Sequence, residues 1–277
     1  MSKGRILFTG GGGFVGSQLV PLLERDGWDI VRPRSSEVRL DYEEEVDTLF
    51  EGDDYHAIIH AAIIGGRREV EDTSKVFMTN MRMFEMIFRH VDKCGVFINL
   101  DSGASLGRPA LTEEPSPLDL GKMIPADPYG FSKYCIAQRV LSHWKGRNLR
   151  IWGCFGPDET QSRCFSTNIK NYIQKKDILI NKDRKMDFIY SEDLYQIIKY
   201  YLHNGQNIDV KDVNCVYPQK YTLSDIADII NKLDDYKVNI EMEGQYPEYS
   251  YCGAFHSLGI KYVGMEEGIR DCWSQWK

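Results

Sequence analysis

The sequence has no excess of basic residues. Lysine and arginine total 34 against 41 aspartate and glutamate residues, which gives the 277-residue chain a formal net charge of −7. A protein that binds nucleic acid through its phosphates needs a basic face to displace counterions. The composition therefore argues against nucleic-acid binding, although a few local donors are enough to bind a small anionic ligand.

Two further absences narrow the class of protein. The seven cysteines are odd in number and never spaced C-x-x-C, which argues against a disulfide framework or a metal site and favours reduced thiols. No apolar run approaches the roughly 20 residues that cross a bilayer, and the first residues contain no signal-peptide core. We therefore expect a cytoplasmic protein with neither a membrane span nor a metal centre.

What the sequence does contain is an alternation of strand-like and helix-like segments in its first half. Apolar segments of strand length are followed by segments whose apolar residues recur at helical spacing. The predicted strands are Arg5–Phe8, Asp29–Val31, Ala57–Ile63 and Val96–Ser102, and the predicted helices begin at Phe14, Val46 and Ser74. This order predicts a parallel sheet covered by helices on both faces, in an α/β fold.

The second half of the chain is less regular. A strand is predicted at Leu149–Cys154, and "MDFIYSEDLYQIIKYYL" predicts a short strand and a helix with Ser191 as its N-cap. Thr222 and Asp225 have the spacing of a capping box at the start of another helix. No repeat, low-complexity tract or linker is visible, so we expect any second lobe to be interleaved with the sheet.

The strongest local signal is the glycine turn "TGGGGFVGS" after the first predicted strand. Gly10, Gly13 and Gly16 have the spacing G-x-x-G-x-x-G, and a helical pattern begins at Phe14 and Val15. Glycine tolerates positive φ and lets a pyrophosphate approach backbone N–H groups at a helix N-terminus. The turn is therefore predicted to bind a dinucleotide through these five residues. The alternative is a turn that only packs a helix against a strand.

The residues after the second predicted strand bear on which dinucleotide is bound. An NAD site usually has Asp or Glu at the end of this strand, where it binds the ribose hydroxyls. Arg34 occupies that position here, and Ser35 and Ser36 follow it. A guanidinium and two hydroxyls suit a 2′-phosphate, so NADPH is the expected cofactor and NAD is less favoured. The alternative is a solvated, charged turn.

Tyr129, Lys133 and Ser102 are the candidates for the reactive groups. Tyr129 and Lys133 are four residues apart in "DPYGFSKYC", so on a helix they share one face. A nearby ammonium lowers the pKa of a phenol from about 10, which suits acid–base catalysis. Ser102 ends the fourth predicted strand, at the edge where parallel sheets bind ligands, with Ser105 as a substitute. The alternatives are a helix-surface pair and a serine that caps local backbone.

Several segments together resemble one family. They are "TGGGGFVG", "IIHAA", "INLDSGASLG", "PYGFSK", "CFGP" and "RKMDFIYSEDL", and they are similar to motifs of the extended short-chain dehydrogenase/reductase family, in its nucleotide-sugar epimerase, dehydratase and reductase branch. The resemblance runs from Ile6 to about Leu194. It implies a Rossmann-type, doubly wound parallel sheet that carries NAD(P) in residues 1–155. It also implies a smaller C-terminal lobe in 156–277 that binds a nucleoside-diphosphate sugar, with about 186–204 returning to the Rossmann domain.

The resemblance also implies roles for individual residues. It makes Ser102, Tyr129 and Lys133 the catalytic residues, with Ser102 and Tyr129 also contacting the substrate and Tyr129 and Lys133 the cofactor. It adds four cofactor contacts, Asp41, Ala61, Ala62 and Phe155. From its place after "CFGPDETQS", Arg163 is a candidate for the substrate phosphates, with a plain surface arginine as the alternative.

Departures from the family's patterns narrow the reaction. The 4,6-dehydratases carry Thr-Asp-Glu where this chain has Ser102, Gly103 and Ala104, and the C3,C5 epimerase-reductases carry a cysteine at the position of Ala104. Two reactions remain: reduction of a 4-keto sugar by NADPH, and C4 epimerisation with retained NAD. Arg34 favours the first. We expect a nucleoside-diphosphate-4-keto-6-deoxy-sugar 4-reductase for surface-polysaccharide assembly, with a C4 epimerase or a non-catalytic NADP-binding redox sensor as alternatives.

Two predicted helices are apolar on nearly all sides. One runs from about Ser74 to Val91, and the other carries Tyr129. A helix that covers only one sheet face keeps a polar stripe. We therefore expect the two helices to pack against a second subunit in a homodimer; a thick monomer core is the alternative.

Overall fold

Strands and helices alternate along most of the chain, of which a computed structural model describes residues 3–52, 54–66, 71–107, 114–159, 163–244 and 250–277. The strands are β1 (Arg5–Thr9), β2 (Asp29–Val31), β3 (Tyr55–His60), β4 (Cys94–Ser102), β5 (Gly146–Ile151), β6 (Cys154–Phe155), β7 (Ile178–Ile180), β8 (Ile189–Tyr190), β9 (Asp212–Cys215) and β10 (Ile240–Met242). The helices are α1 (Phe14–Arg25), α2 (Glu43–Asp47), α3 (Ser74–Phe88), α4 (Pro128–Leu141), α5 (Cys164–Ile173), α6 (Ser191–Asn204), α7 (Leu223–Ile230) and α8 (Met265–Trp276).

Six of the strands form one parallel sheet, in the order β2-β1-β3-β4-β5-β9. Every neighbouring pair is parallel; Ile6 pairs with Ala57, and Ile98 with Arg147. β2 and β3 lie on opposite sides of β1, so the order of the strands reverses there. Open α/β sheets bind ligands at the carboxyl edge of such a switch point. The predicted Rossmann-type, doubly wound sheet is confirmed.

Apolar side chains bury both faces of this sheet. One face packs against α3 and α4 through Ile58, Phe84, Phe97 and Ile136. The opposite face packs against α1 and α6 through Phe8, Leu19, Ile59 and Leu194. Burying one such side chain contributes about 1.5–3 kcal/mol, so the two layers fix the sheet and the helices relative to one another.

The second half of the chain builds a smaller structure that is interleaved with the sheet. β7 and β10 pair in parallel and pack with α5, α7 and α8, while β6 pairs with β8. The predicted capping box is confirmed, because the Thr222 N–H donates to Asp225 Oδ2 at 2.8 Å and the Asp225 N–H to Thr222 Oγ1 at 3.0 Å. The division of the chain into two domains at residue 155 stays a prediction. β9 joins the large sheet, although it lies outside residues 186–204, the segment that was expected to return to the Rossmann domain.

Two local predictions are wrong. Ser191 is the first residue of α6 and not its N-cap, which is Tyr190; the Ser191 hydroxyl instead donates to Gln18 Oε1 at 3.2 Å. The single strand predicted at Leu149–Cys154 is two strands, β5 and β6. The chain leaves the large sheet at Trp152, whose indole N–H donates to Asn214 Oδ1 at 3.2 Å.

Candidate active site

The glycine turn joins β1 to α1 and leaves no room for a side chain at Gly10 or at Gly16. Gly10 has a φ of +75°, and the Gly13 N–H donates to the Gly10 carbonyl at 3.0 Å. A β-carbon on Gly16 would lie 2.6 Å from the oxygen of Gly10. Gly13 is the N-cap of α1 and has no side chain that could cap the helix, which begins with Phe14 and Val15. The first N–H groups of α1 are therefore available to an anion.

The same turn meets the loop after β3 at the switch point. A β-carbon on Gly10 would lie 2.6 Å from the nitrogen of Ala62 and 2.7 Å from the carbonyl carbon of Ala61. The Ala61 N–H donates to the Thr9 carbonyl at 3.1 Å. The two segments predicted to line one cofactor cleft are thus side by side, and their backbones form a cradle at the carboxyl edge of the sheet.

The loop after β2 places a different arginine against the turn from the one predicted. The side chain of Arg32 packs over Gly11, where an added β-carbon would lie 3.1 Å from Arg32 Cβ. Arg34, Ser35 and Ser36 are exposed in the following turn, and the Arg34 N–H donates to Glu37 Oε2 at 3.0 Å. Arg32 was not among the residues predicted to bind the cofactor. Its position directly after β2, the strand next to β1, was the available signal.

Lys133 is buried in α4 and points its ammonium at the sheet. Asp127 is the N-cap of this helix and accepts a hydrogen bond from the Gly130 N–H at 2.8 Å. Lys133 Nζ donates to the Leu100 carbonyl of β4 at 2.7 Å. Burial lowers the pKa of Lys133 to about 8, and the charge of Asp101 opposes that fall.

Tyr129 lies one turn before Lys133 and is half-buried. Its ring lies against Gly66 in the loop after β3, because a β-carbon on Gly66 would be 2.7 Å from ring atoms Cε2 and Cζ. Ser102 is the last residue of β4, and its Oγ accepts from the Ala104 N–H at 3.2 Å. The start of α4 packs on this turn, with Gly130 against the carbonyl of Ala104. Ser102, Tyr129 and Lys133 therefore belong to one corner of the sheet's carboxyl edge.

Asn80 is a site residue that the sequence analysis missed. It is completely buried in α3, and its side-chain amide accepts from the Ile64 N–H at 2.9 Å and donates to the Ile64 carbonyl at 3.0 Å. The same amide nitrogen is 3.1 Å from Ser132 Oγ, beside Lys133. Asn80 thus ties the loop after β3 to α4. An asparagine among the large apolar residues of this helix was the signal that could have found it.

Four other residues were predicted to contact the cofactor or the substrate. Ser105 is completely buried and donates to Asp101 Oδ2 at 2.6 Å, so its hydroxyl points into the protein interior and not toward a substrate. The ring of Phe155 is also buried and stacks on Phe165 at 4.1 Å. Arg163 donates to Glu159 Oε1 at 2.9 Å, and its guanidinium lies 4.4 Å from the ring centroid of Phe14. Asp41 is half-buried in the turn before α2.

Two other kinds of site are absent from the described part of the chain. No group of three or more histidine, cysteine, aspartate or glutamate side chains in those ranges has the geometry to hold a metal ion. No helix among them combines the length and the apolar character needed to cross a bilayer. His60 is buried between aromatic rings, and burial lowers its pKa to about 3, so its imidazole is neutral at pH 7.

Comparison with known proteins places this geometry in context. The model of the NAD dependent epimerase/dehydratase family matches residues 6–215. CDP-abequose synthase of Yersinia pseudotuberculosis is 24% identical over 91% of this chain and 95% of its own length. GDP-L-colitose synthase of the same organism is 24% identical over 84% of this chain and 83% of its own.

Solved structures share the fold over nearly the whole chain. An NADP-bound GDP-L-fucose synthetase from Naegleria fowleri has a TM-score of 0.79 at 14% identity, covering 99% of this chain and 93% of that one. An NADP-bound GDP-mannoheptose C4 reductase from Campylobacter jejuni has a TM-score of 0.79 at 16% identity, covering 98% of both chains.

Proposed function

The chain belongs to the NAD-dependent epimerase/dehydratase family, and from that premise we propose that it uses NADPH to reduce the 4-keto group of a nucleoside-diphosphate 6-deoxy sugar in glycan assembly. The observation that carries the proposal is that Tyr129, which shares a corner of the sheet with Ser102 and Lys133, lies against the loop after β3, and that this loop also meets the glycine turn. Ala104 stands where a dehydratase has an acid, so the site lacks that acid. The remaining groups can transfer a proton to one oxygen of the substrate.

The names of similar proteins support the substrate class. The curated relatives are named as synthases of a CDP-linked and a GDP-linked sugar. One protein of the same fold is named as a C4 reductase and was solved with NADP. A nucleoside-diphosphate sugar with a carbonyl at C4 suits both the family and the serine, tyrosine and lysine of this site.

The cofactor would lie along the carboxyl edge at the β1–β3 boundary. The backbone of the glycine turn would hold its pyrophosphate, and Ala61 and Ala62 would line the cleft. Arg32 and Arg34, with the hydroxyls of Ser35 and Ser36, would hold the 2′-phosphate by charge-assisted hydrogen bonds. When bound, NADPH supplies the hydride that goes to C4 of the sugar.

The protein's own residues handle the oxygen and its proton. Ser102 donates a hydrogen bond to the carbonyl oxygen at C4 and polarises it. Tyr129 gives its phenolic proton to that oxygen as C4 becomes an alcohol, so the phenol becomes a phenolate. Lys133 stabilises the phenolate by its positive charge. The proton that Tyr129 loses neutralises the alkoxide that would otherwise form at C4.

The test is NADPH oxidation with a panel of nucleoside-diphosphate 4-keto-6-deoxy sugars. We expect turnover with at least one member, and a loss of about 100-fold or more in Tyr129→Phe, because one general acid contributes about 10²–10⁴-fold. Tyr134→Phe on the same helix is the matched control and should keep its activity.

Two outcomes would replace the proposal. Tightly held NAD together with interconversion of ordinary nucleoside-diphosphate hexoses at C4, and no net NADPH use, would identify an epimerase. NADP binding without turnover of any sugar, unchanged in Tyr129→Phe, would identify a binding protein.

A further inference from the structure

A buried cluster of charges lies next to the candidate site. Arg150 of β5 is completely buried; its Nε donates to Asp101 Oδ2 at 3.0 Å, and its Nη2 to Asp212 Oδ2 at 3.0 Å. Asn148 Nδ2 bridges the two carboxylates, at 3.1 Å from Asp101 Oδ2 and 3.0 Å from Asp212 Oδ1. We call Asp101, Arg150 and Asp212 the Arg150 cluster. Buried ion pairs seldom stabilise a fold more than apolar residues of similar volume, so this cluster calls for a functional explanation.

The Arg150 cluster lies on the sheet face that α4 covers. Side chains alternate along β4, so Asp101 is on the same face as Phe97, which packs in one apolar cluster with Ile136 of α4. Lys133 is three residues before Ile136, and its ammonium donates to the carbonyl of Leu100, the residue immediately before Asp101. The lysine and the carboxylate are therefore neighbours across the helix–sheet contact.

Within the described residues, only one of the two carboxylate oxygens of Asp101 accepts hydrogen bonds. Asp101 Oδ2 accepts from Ser105, Asn148 and Arg150. Oδ1 is buried and has no hydrogen-bond partner within the described residues. The carboxylate is thus fixed in place by Oδ2 while its charge acts on the buried ammonium.

The charges around Lys133 balance only when the lysine is protonated. The titratable groups on the elements packed around Lys133 are Asp101 on β4, Tyr129 on its own helix and His60 on β3, which is neutral. Asp101 is in turn ion-paired with Arg150 on β5, which also pairs with Asp212 on β9. With Lys133 protonated, this network holds two carboxylates and two cations. Arginine keeps its proton in proteins, so Lys133 is the cation of this group that can lose its charge when the neighbouring Asp101 carboxylate is removed.

We propose that Asp101 is a positioning residue that keeps Lys133 in its ammonium form, with Arg150 holding the carboxylate in place. The consequence for catalysis rests on the proposed function, in which the ammonium stabilises the Tyr129 phenolate. Activity then requires protonated Lys133 and falls as the pH rises through the pKa of this lysine.

Asp101→Asn and Asp212→Asn form a matched pair that tests this. Each replaces one carboxylate on Arg150 by an amide of nearly the same shape, but only Asp101 adjoins Lys133. The pKa of Lys133 is read by NMR of protein labelled with ¹³C at lysine Cε, with Lys133→Met to assign its resonance. We expect Asp101→Asn to lower that pKa by about 1 unit or more, and Asp212→Asn to move it far less.

The pH profile of kcat/KM supplies the second readout. The alkaline fall in activity should move down by the same amount in Asp101→Asn and return toward the original position in Asp101→Glu. Equal NMR shifts in both asparagine variants, or none in either, would overturn the proposal. So would an original protein in which Lys133 is already neutral at pH 7. An NMR shift in protein that turns over no sugar would support Asp101's role while refuting the proposed function.

Discussion

Gly66 lies against the aromatic ring of Tyr129: a β-carbon on this glycine would come within 2.7 Å of Cε2 and Cζ. Gly66 has a φ of +72°, and its N–H donates to both carboxylate oxygens of Asp72, at 3.1 and 3.0 Å. The loop after β3 therefore touches the candidate proton donor and limits where its ring can lie.

Gly66→Ala should displace the Tyr129 ring. We expect kcat/KM to fall by about 10- to 100-fold, because small misplacements of a reacting group cost rates of this order. Gly27→Ala is the control: Gly27 also has a positive φ, +94°, but a β-carbon there would meet nothing within 4 Å. Both variants should lose about 1 kcal/mol of stability from backbone strain, measured by denaturant unfolding. Equal loss of activity in the two would show that strain, and not contact with Tyr129, is responsible.

Arg32→Ala is predicted to weaken the use of NADPH more than that of NADH. A charge-assisted hydrogen bond contributes about 1.5–3 kcal/mol, so the KM for NADPH should rise by about 10- to 100-fold, with NADH changed little. Arg34→Ala should act in the same direction if both guanidinium groups hold the 2′-phosphate. Arg25→Ala, at the exposed end of α1, is the control. Parallel loss with both cofactors would instead assign Arg32 to packing of the glycine turn.

The parts of the site that could be predicted from the sequence are those whose residues have a characteristic local spacing. The glycine turn and the pair Tyr129 and Lys133 follow from local patterns, because a strand-to-helix turn and one helical face each fit within a few residues. The parallel sheet with helices on both faces follows from the alternation of strand-like and helix-like segments. These are short-range consequences of backbone geometry, and the structure keeps them.

Contacts between distant segments were out of reach. Asn80 is 52 residues from Ser132, and Asp101 is 49 from Arg150, yet each pair is hydrogen-bonded. Ser105 is polar and close in sequence to Ser102, but the sequence does not reveal that Asp101 and Arg150 draw it into the interior. Strand register and helix–helix packing decide such contacts, and no local pattern fixes either of them to the residue.

The exposed apolar surface of α3 and the start of α4 is predicted to be a dimer interface. Met78 is 64% exposed, and Ile124 61%, beside the stacked rings of Phe77 and Phe131. Light scattering should give twice the chain's mass for the original protein and a single chain's mass for Met78→Glu, because a buried charge opposes association. Leu179→Glu, also at an exposed apolar position, should leave the mass unchanged. A monomeric original protein would contradict the prediction.

Gly16→Ala should impair dinucleotide binding without contacting the ligand. Its β-carbon would lie 2.6 Å from the oxygen of Gly10 and from the Cα of Gly11, both backbone atoms that cannot rotate away. The turn must then open, and overpacking of this kind costs about 1–3 kcal/mol. Affinity for NADPH, measured by calorimetry, should fall by about 10- to 100-fold if that cost appears in binding. Gly12→Ala in the same turn is the control, since a β-carbon there would meet nothing within 4 Å. Full affinity in Gly16→Ala would mean that the turn adjusts freely, and the cradle would then not be the rigid phosphate site that its geometry indicates.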